Sequence, residues 1–203
     1  MLDTKEEELK KILPADGPSI GEVKKYLEKY NEEYIVIKCG GSVLIDSDLF
    51  EIFCKNIVTL NKIGLIPIIV HGGGKRINNK LNELGIESKF IKGLRVTGEE
   101  TMKVVEDVLI EFNKEIVSSL EKQNCKSQSI HSKENNIISA QKYSEELVFV
   151  GSPTDVNKSI IDKIINENKI PVIAPLGISL ENQIYNINAD TVAGSIAKKL
   201  KAR

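Results

Sequence analysis

The chain has 203 residues with 28 Lys and Arg against 29 Asp and Glu, a net charge of -1, so no overall field would hold a nucleic acid or an anionic membrane, and any phosphate binding must be local. Its 41% hydrophobic and 28% charged residues exclude a disordered chain and suit one main domain. The three cysteines, Cys39, Cys54 and Cys125, are widely spaced and form no CxxC pair, which argues against a disulfide framework or a zinc site and fits a reducing cytosol.

The N-terminal stretch MLDTKEEELKKIL lacks the apolar centre of a signal peptide, and no run approaches about 18 apolar residues, so neither export nor membrane spanning is expected. The expected location is the cytoplasm, or the mitochondrion in a eukaryotic source, although no transit peptide is evident. Residues 5–13 are predicted as a short amphipathic helix, stopped by the cluster Pro14-Ala15-Asp16-Gly17-Pro18. Ser19 and Glu22 then have capping-box spacing, and Ile20, Val23, Leu27 and Tyr30 recur at helical intervals. This second helix packs either on its own domain or on another subunit; spacing leaves both open. Residues 1–32 thus read as an N-terminal helical segment ahead of a domain over 33–203.

From Tyr34 the elements alternate. The run Tyr34–Ile37 is predicted as a strand, about 48–63 as a helix closed by Gly64, Leu65–Val70 as a strand, and about 75–84 as a helix closed by Gly85. Thr97 and Glu100 give another capping-box spacing before a long helix marked by Met102, Val105, Leu109, Phe112, Ile116 and Leu120. Residues 125–150 read as short strands with turns, including Val148-Phe149-Val150. A helix around Ile160–Ile165, a buried strand over Ile170–Ala174 and a helix over Thr191–Leu200 follow. The fold class is α/β, a three-layer α/β/α sandwich with a mainly parallel sheet, the hairpin-like middle adding antiparallel strands at one edge.

In open parallel sheets, ligands bind beyond the carboxyl ends of the strands, where helix N-termini point free N–H groups outward. Two glycine-rich turns occupy that place: Lys38-Cys39-Gly40-Gly41-Ser42 and His71-Gly72-Gly73-Gly74-Lys75. Glycine lets a backbone approach an anion and aim consecutive N–H groups at one point, so two facing turns would make a phosphate clamp. A single such turn is as often a tight strand-to-helix connection. GxxxxGK[ST] is absent, and Gly72-Gly73-Gly74-Lys75-Arg76-Ile77 fails GxGxxG at its last position, which weakens P-loop and dinucleotide readings. Lys38, at a strand end beside a glycine pair, can neutralise charge on a transferred phosphoryl group.

Arg95, in Lys92-Gly93-Leu94-Arg95-Val96-Thr97, suits bidentate carboxylate recognition; a surface salt bridge is the commoner use, and spacing leaves both open. Asn186 and Asn188 share one face of an extended segment and can both donate and accept toward a polar ligand. Asp190 is either an N-cap or a charge that orients lysines. His71 and His131, the only histidines, have no clustered ligands, so a histidine metal site or a Ser-His-Asp triad has little support. Cys39 reads as a small core filler rather than a nucleophile.

The stretches IVIKCGGSVL, GLIPIIVHGGGKRIN, LGIES, GLRVTGEETMKVV, IPVIAPLG and YNINADTVAGSIA together resemble the amino acid kinase family, and within it the branch that phosphorylates N-acetylglutamate, from about residue 34 to the end. The preceding GPSIGEVKKYLEKY is similar to fungal-type members and to the kinase-like domain of N-acetylglutamate synthases. The resemblance implies transfer of the ATP γ-phosphoryl group to the side-chain carboxylate of N-acetyl-L-glutamate, a step of arginine biosynthesis. It implies ATP with Mg2+ held mainly by the phosphates rather than by a protein carboxylate cluster. It also implies roles: Lys38 stabilises the phosphoryl group, Gly40 and Gly41 line the nucleotide phosphates, and Gly72 and Gly73 offer N–H groups to the phosphoryl and acceptor oxygens. Arg95 grips the α-carboxylate, Asn186 and Asn188 hold the acyl amino acid, and Asp190 orients the lysines. Implied partners are the substrate, an arginine effector and further copies of the chain. In the family, strands holding adenine and ribose and a second catalytic lysine follow the last matching helix, so the ATP-binding lobe is expected to be incomplete within these residues. A second reading is a non-catalytic kinase-like domain that senses arginine or mediates assembly.

Overall fold

The computed structural model describes residues 6, 7, 9–11, 13, 15–30 and 33–202. The helix expected over 5–13 lies partly outside this set; residues 6, 7 and 9–11 are helical. Helix α1 (Ile20–Lys29) starts where the sequence places it, because Ser19 and Glu22 form a complete capping box: Glu22 N–H donates to Ser19 Oγ, and Ser19 N–H donates to Glu22 Oε2.

Strand β1 (Tyr34–Cys39), helix α2 (Ser47–Lys62), strand β2 (Ile66–His71) and helix α3 (Gly74–Glu83) follow in the predicted alternation. A short hairpin, β3 (Phe90–Ile91) and β4 (Leu94–Arg95), precedes the long helix α4 (Glu99–Glu121). Then come β5 (Ser127–Ile130), α5 (Ser132–Asn135), β6 (Ile138–Lys142) and β7 (Gly151–Val156). The chain closes with α6 (Lys158–Asn166), β8 (Ile170–Ile173), β9 (Leu176–Ile178), β10 (Ile184–Asn186) and α7 (Ala189–Leu200).

The central sheet is parallel with strand order β1-β2-β8-β5. Alternation along its strands sends side chains to opposite faces. Ile68, Val70 and Ile173 pack with Ile161, Ile164, Val192 and Ile196 of α6 and α7, whereas Ile69 and Val172 pack with Ile57, Phe112, Ile116 and Leu120 of α2 and α4. Helices therefore cover both faces, which is the three-layer arrangement. Each fully buried aliphatic side chain contributes roughly 1.5–3 kcal/mol.

Three local expectations give way. The middle strands do not extend the parallel sheet at an edge; they belong to a second, mixed sheet, ordered β10-β9-β6-β7, that buries Ala140 and Tyr185 against the same core. Val148-Phe149-Val150 is no strand: Val148 and Val150 make isolated bridges, to Thr97 and Asn186, and Val148 has φ 60. The Thr97 capping box does not form either. Gly98 is the N-cap of α4, and the buried Thr97 hydroxyl donates instead to Arg95 O at 3.0 Å.

Candidate active site

The carboxyl ends of β1, β2 and β8 open into one cleft of about 390 Å³. Every residue singled out by the two turns, the arginine segment and the amide segment lines it: Lys38, Gly40, Gly41, Gly72, Gly73, Arg95, Asn186, Asn188 and Asp190. These residues are up to 152 positions apart in sequence (190 minus 38). The parallel register brings them together, since Cys39 pairs with His71 and so sets the two glycine turns side by side.

The first turn bends at Gly41, whose φ of 66 lies in the left-handed region that side chains disfavour. Gly40 has a different reason to be glycine. A Cβ there would sit 2.7 Å from Lys38 Nζ, so the missing side chain is the space into which the ammonium folds. Lys38 Nζ lies 3.1 Å from Asp190 Oδ1, an ion pair on the cleft wall.

The second turn is more constrained than the sequence implies. Gly72 N–H continues the strand ladder and donates to Cys39 O at 2.8 Å, so it is not free for a ligand and the donor role expected of it passes on. Among the described residues, Gly73 N–H has no acceptor. It sits at the N-cap of α3, where the first-turn N–H groups and the helix dipole favour an anion.

Arg95 is 7% exposed and is not the surface salt bridge that its spacing allowed. Its guanidinium donates to Ser88 Oγ and, at 3.2 Å, to Gly74 O, and its central carbon stands 4.8 Å from the centroid of the Phe90 ring. Burial lowers its pKa, and among the described residues no carboxylate pairs with it. A buried guanidinium is costly unless it is hydrogen-bonded or paired, and on a cleft wall its forked donors suit a carboxylate or phosphate.

The two amides differ. Asn186 Nδ2 donates to Thr97 Oγ1 at 3.2 Å, which ties β10 to the hairpin segment. Asn188 is the N-cap of α7: its Oδ1 accepts from Asp190 N–H at 2.9 Å and Thr191 N–H at 3.1 Å. The cap therefore belongs to Asn188 and not to Asp190, which is left to pair with Lys38.

The sequence assigns no role to Lys75, which it marks only as the end of the second turn, and does not draw attention to Asn78, Ser88 or Phe90. Lys75 and Asn78 line the cleft from the first two turns of α3, and Phe90 lines it from the hairpin. Lys75 beside three glycines and Asn78 one helical turn later were the available signal; Phe90 and Ser88 had none, because only the β3–β4 pairing sets Phe90 opposite Arg95. Cys39 is 3% exposed with its thiol pushed up to about 12 by burial, the state of a core filler and not of a nucleophile.

The cleft offers the ammoniums of Lys38 and Lys75, a guanidinium, the Gly73 N–H and side-chain amides, a set complementary to phosphate and carboxylate oxygens. Asp190, the one carboxylate on its wall among the described residues, is committed to Lys38.

Residues 33–203 match the model of the amino acid kinase family. An acetylglutamate kinase of Pelagibacter ubique is 61% identical over 203 residues, all of this chain and 70% of its own. That bacterial match includes the N-terminal segment. An acetylglutamate kinase of Campylobacter fetus is 47% identical over 180 residues, 88% of this chain and 64% of its own. The chain thus spans about two thirds of these relatives. Among solved structures, smu.665 of Streptococcus mutans superposes with TM-score 0.76 at 32% identity, covering 83% of this chain and 69% of its own. The N-acetylglutamate synthase of Neisseria gonorrhoeae, crystallised with coenzyme A and N-acetyl-glutamate, superposes with TM-score 0.77 over 91% of this chain and 44% of its own; at 18% identity this is a likeness of fold.

Proposed function

Because the chain belongs to the amino acid kinase family, we infer that it carries the acceptor-binding and phosphoryl-binding part of an enzyme that transfers the ATP γ-phosphoryl group to the side-chain carboxylate of N-acetyl-L-glutamate. The product is N-acetyl-L-glutamyl 5-phosphate, formed in arginine biosynthesis. The observation that carries this reading is Arg95, a buried cation with no acidic partner among the described residues, opening onto the same cleft as Lys38 and the two glycine turns.

In this reading Arg95 grips the α-carboxylate of the acceptor with its forked donors, while Asn186 and Asn188 bracket the acylamino group. The acceptor side chain then points at the Gly73 N–H and the Lys38 ammonium. Charge accumulates on the equatorial oxygens of the phosphoryl group as it passes between the two oxygens, so donors fixed in advance lower the barrier without themselves reacting. Lys38 supplies a mobile positive charge, and Asp190 holds that charge in place. Gly40 and Gly41 let the β1 turn approach the phosphates. Mg2+, when bound, neutralises phosphate charge; with Asp190 taken by Lys38, the cleft residues would hold it through the phosphate oxygens.

The test is release of ADP from ATP. It should depend on N-acetyl-L-glutamate and fall about 100-fold or more in Lys38→Met, the scale on which preorganised charge acts in such sites. ADP release that ignores N-acetyl-L-glutamate, or that survives Lys38→Met unchanged, would refute the assignment.

A further inference from the structure

His71 is fully buried, and its ring lies outside the cleft lining, yet it is the residue immediately before the second glycine turn. Three contacts fix its state. Asn113 Nδ2 stands 2.9 Å from Val172 O and 3.0 Å from His71 Nε2. A backbone carbonyl can only accept, so Asn113 must turn its NH2 toward Val172, and its second N–H then meets Nε2. Nε2 is therefore the acceptor nitrogen, and the proton sits on Nδ1, which donates to Gly72 O at 3.0 Å. The ring is also held edge-on against Phe112, with centroids 5.1 Å apart.

The consequence lies in the next peptide. In a trans peptide the C=O of residue 72 and the N–H of residue 73 point in opposite directions. A hydrogen bond that holds Gly72 O toward the buried ring therefore holds Gly73 N–H away from it, on the side where Gly73 lines the cleft. We propose that His71, with its tautomer set by Asn113, is a positioning residue that locks the 72–73 peptide so that Gly73 N–H faces the phosphoryl group. The proposal rests on the phosphate-binding reading of this turn.

Two further observations support the lock. Asn113 Oδ1 is buried with no partner among the described residues, so the fold leaves a costly unsatisfied acceptor in order to present the NH2 end. Burial also pushes the His71 pKa down to about 4, so the ring is neutral near pH 7 and keeps one acceptor and one donor nitrogen.

The test uses the whole 203-residue chain with inorganic phosphate as the probe. Nitrogen NMR of the imidazole should show the Nδ1–H tautomer near pH 7, still neutral at pH 5.5, and the Gly73 amide signal should shift on titration with phosphate. In Asn113→Leu the tautomer preference should be lost and the phosphate affinity read at Gly73 should fall about tenfold, the effect of misaligning one charge-assisted hydrogen bond. An Nε2–H tautomer, a charged ring at pH 5.5, or an unchanged Gly73 response in a folded Asn113→Leu would overturn the lock alone. A Gly73 amide that ignores phosphate while the tautomer is as stated would overturn the phosphate reading, and the lock with it. If Asn113→Leu does not fold, the tautomer and the phosphate shift in the unmodified chain still decide.

Discussion

Asp190 and Lys38 form an ion pair across 3.1 Å with their side chains 71% and 35% exposed, which separates its structural from its chemical worth. Exposed pairs contribute about 0–1 kcal/mol to stability, so Asp190→Asn should leave the urea midpoint nearly unchanged. It should lower kcat about 10- to 100-fold, with a smaller change in KM, because it releases the ammonium from its reactive position. Equal losses in stability and activity would contradict a purely orienting role. Arg95→Lys should weaken N-acetyl-L-glutamate binding about tenfold or more, since an ammonium cannot present two parallel donors. Lys38 and Arg95 stood out in the sequence because each lies beside a glycine turn, and both line the cleft, although spacing left Arg95 open between a carboxylate ligand and a surface salt bridge. Which N–H groups the second turn leaves free was not legible: that depends on the strand register, which spends Gly72 N–H on Cys39 O. The His71–Asn113 contact joins residues 42 positions apart and has no local signature.

The helices of the three-layer core were readable because each carries an apolar face at helical spacing, and because caps such as Ser19 act within four residues. Ser19→Ala should therefore cost α1 about 1 kcal/mol, seen as faster hydrogen exchange of its first-turn amides, with the sheet amides unaffected. Thr97 carries the same local signal and does something else. Its hydroxyl is drawn to Arg95 O and its backbone to Leu147 and Phe149, so tertiary pairing outcompetes the cap. Strand β7 lies beyond residues 125–150, where the sequence pattern places its short strands; Pro153, which disfavours a strand interior, is tolerated because β7 is the edge of its sheet and the β6–β7 pairing shifts register between Ser139 and Ala140. The layer itself should answer to its buried contacts: Ile116→Ala, fully buried between α4 and the sheet, should cost about 2–5 kcal/mol in urea unfolding. The exposed Lys103→Ala, on the same helix, should stay within about 0.5 kcal/mol. Similar losses for the two would contradict the packing described.

Across the whole molecule, stability should carry the mark of two histidines held below their ordinary pKa by burial. Above pH 6.5 they are neutral in both folded and unfolded chains, and the stability is fully present. As pH falls from 6.5 toward about 4, the unfolded chain takes up protons that folded His71 refuses, so stability declines. His71 alone should remove about 2 kcal/mol between pH 7 and pH 5, because a proton bound only by the unfolded chain costs about 1.4 kcal/mol for each pH unit below 6.5. The carboxylates held low by lysine or serine partners, such as Asp155 and Glu167, add their loss only at lower pH. Urea unfolding at pH 7 and pH 5 checks this, and a flat profile over that range would contradict the buried neutral His71. Whether the fold presents a cleft for an acyl amino acid is decided by calorimetric titration of the chain with N-acetyl-L-glutamate, beside Arg95→Ala. Saturable binding that the folded Arg95→Ala protein loses is the expected outcome; no binding, or binding indifferent to Arg95, would contradict it.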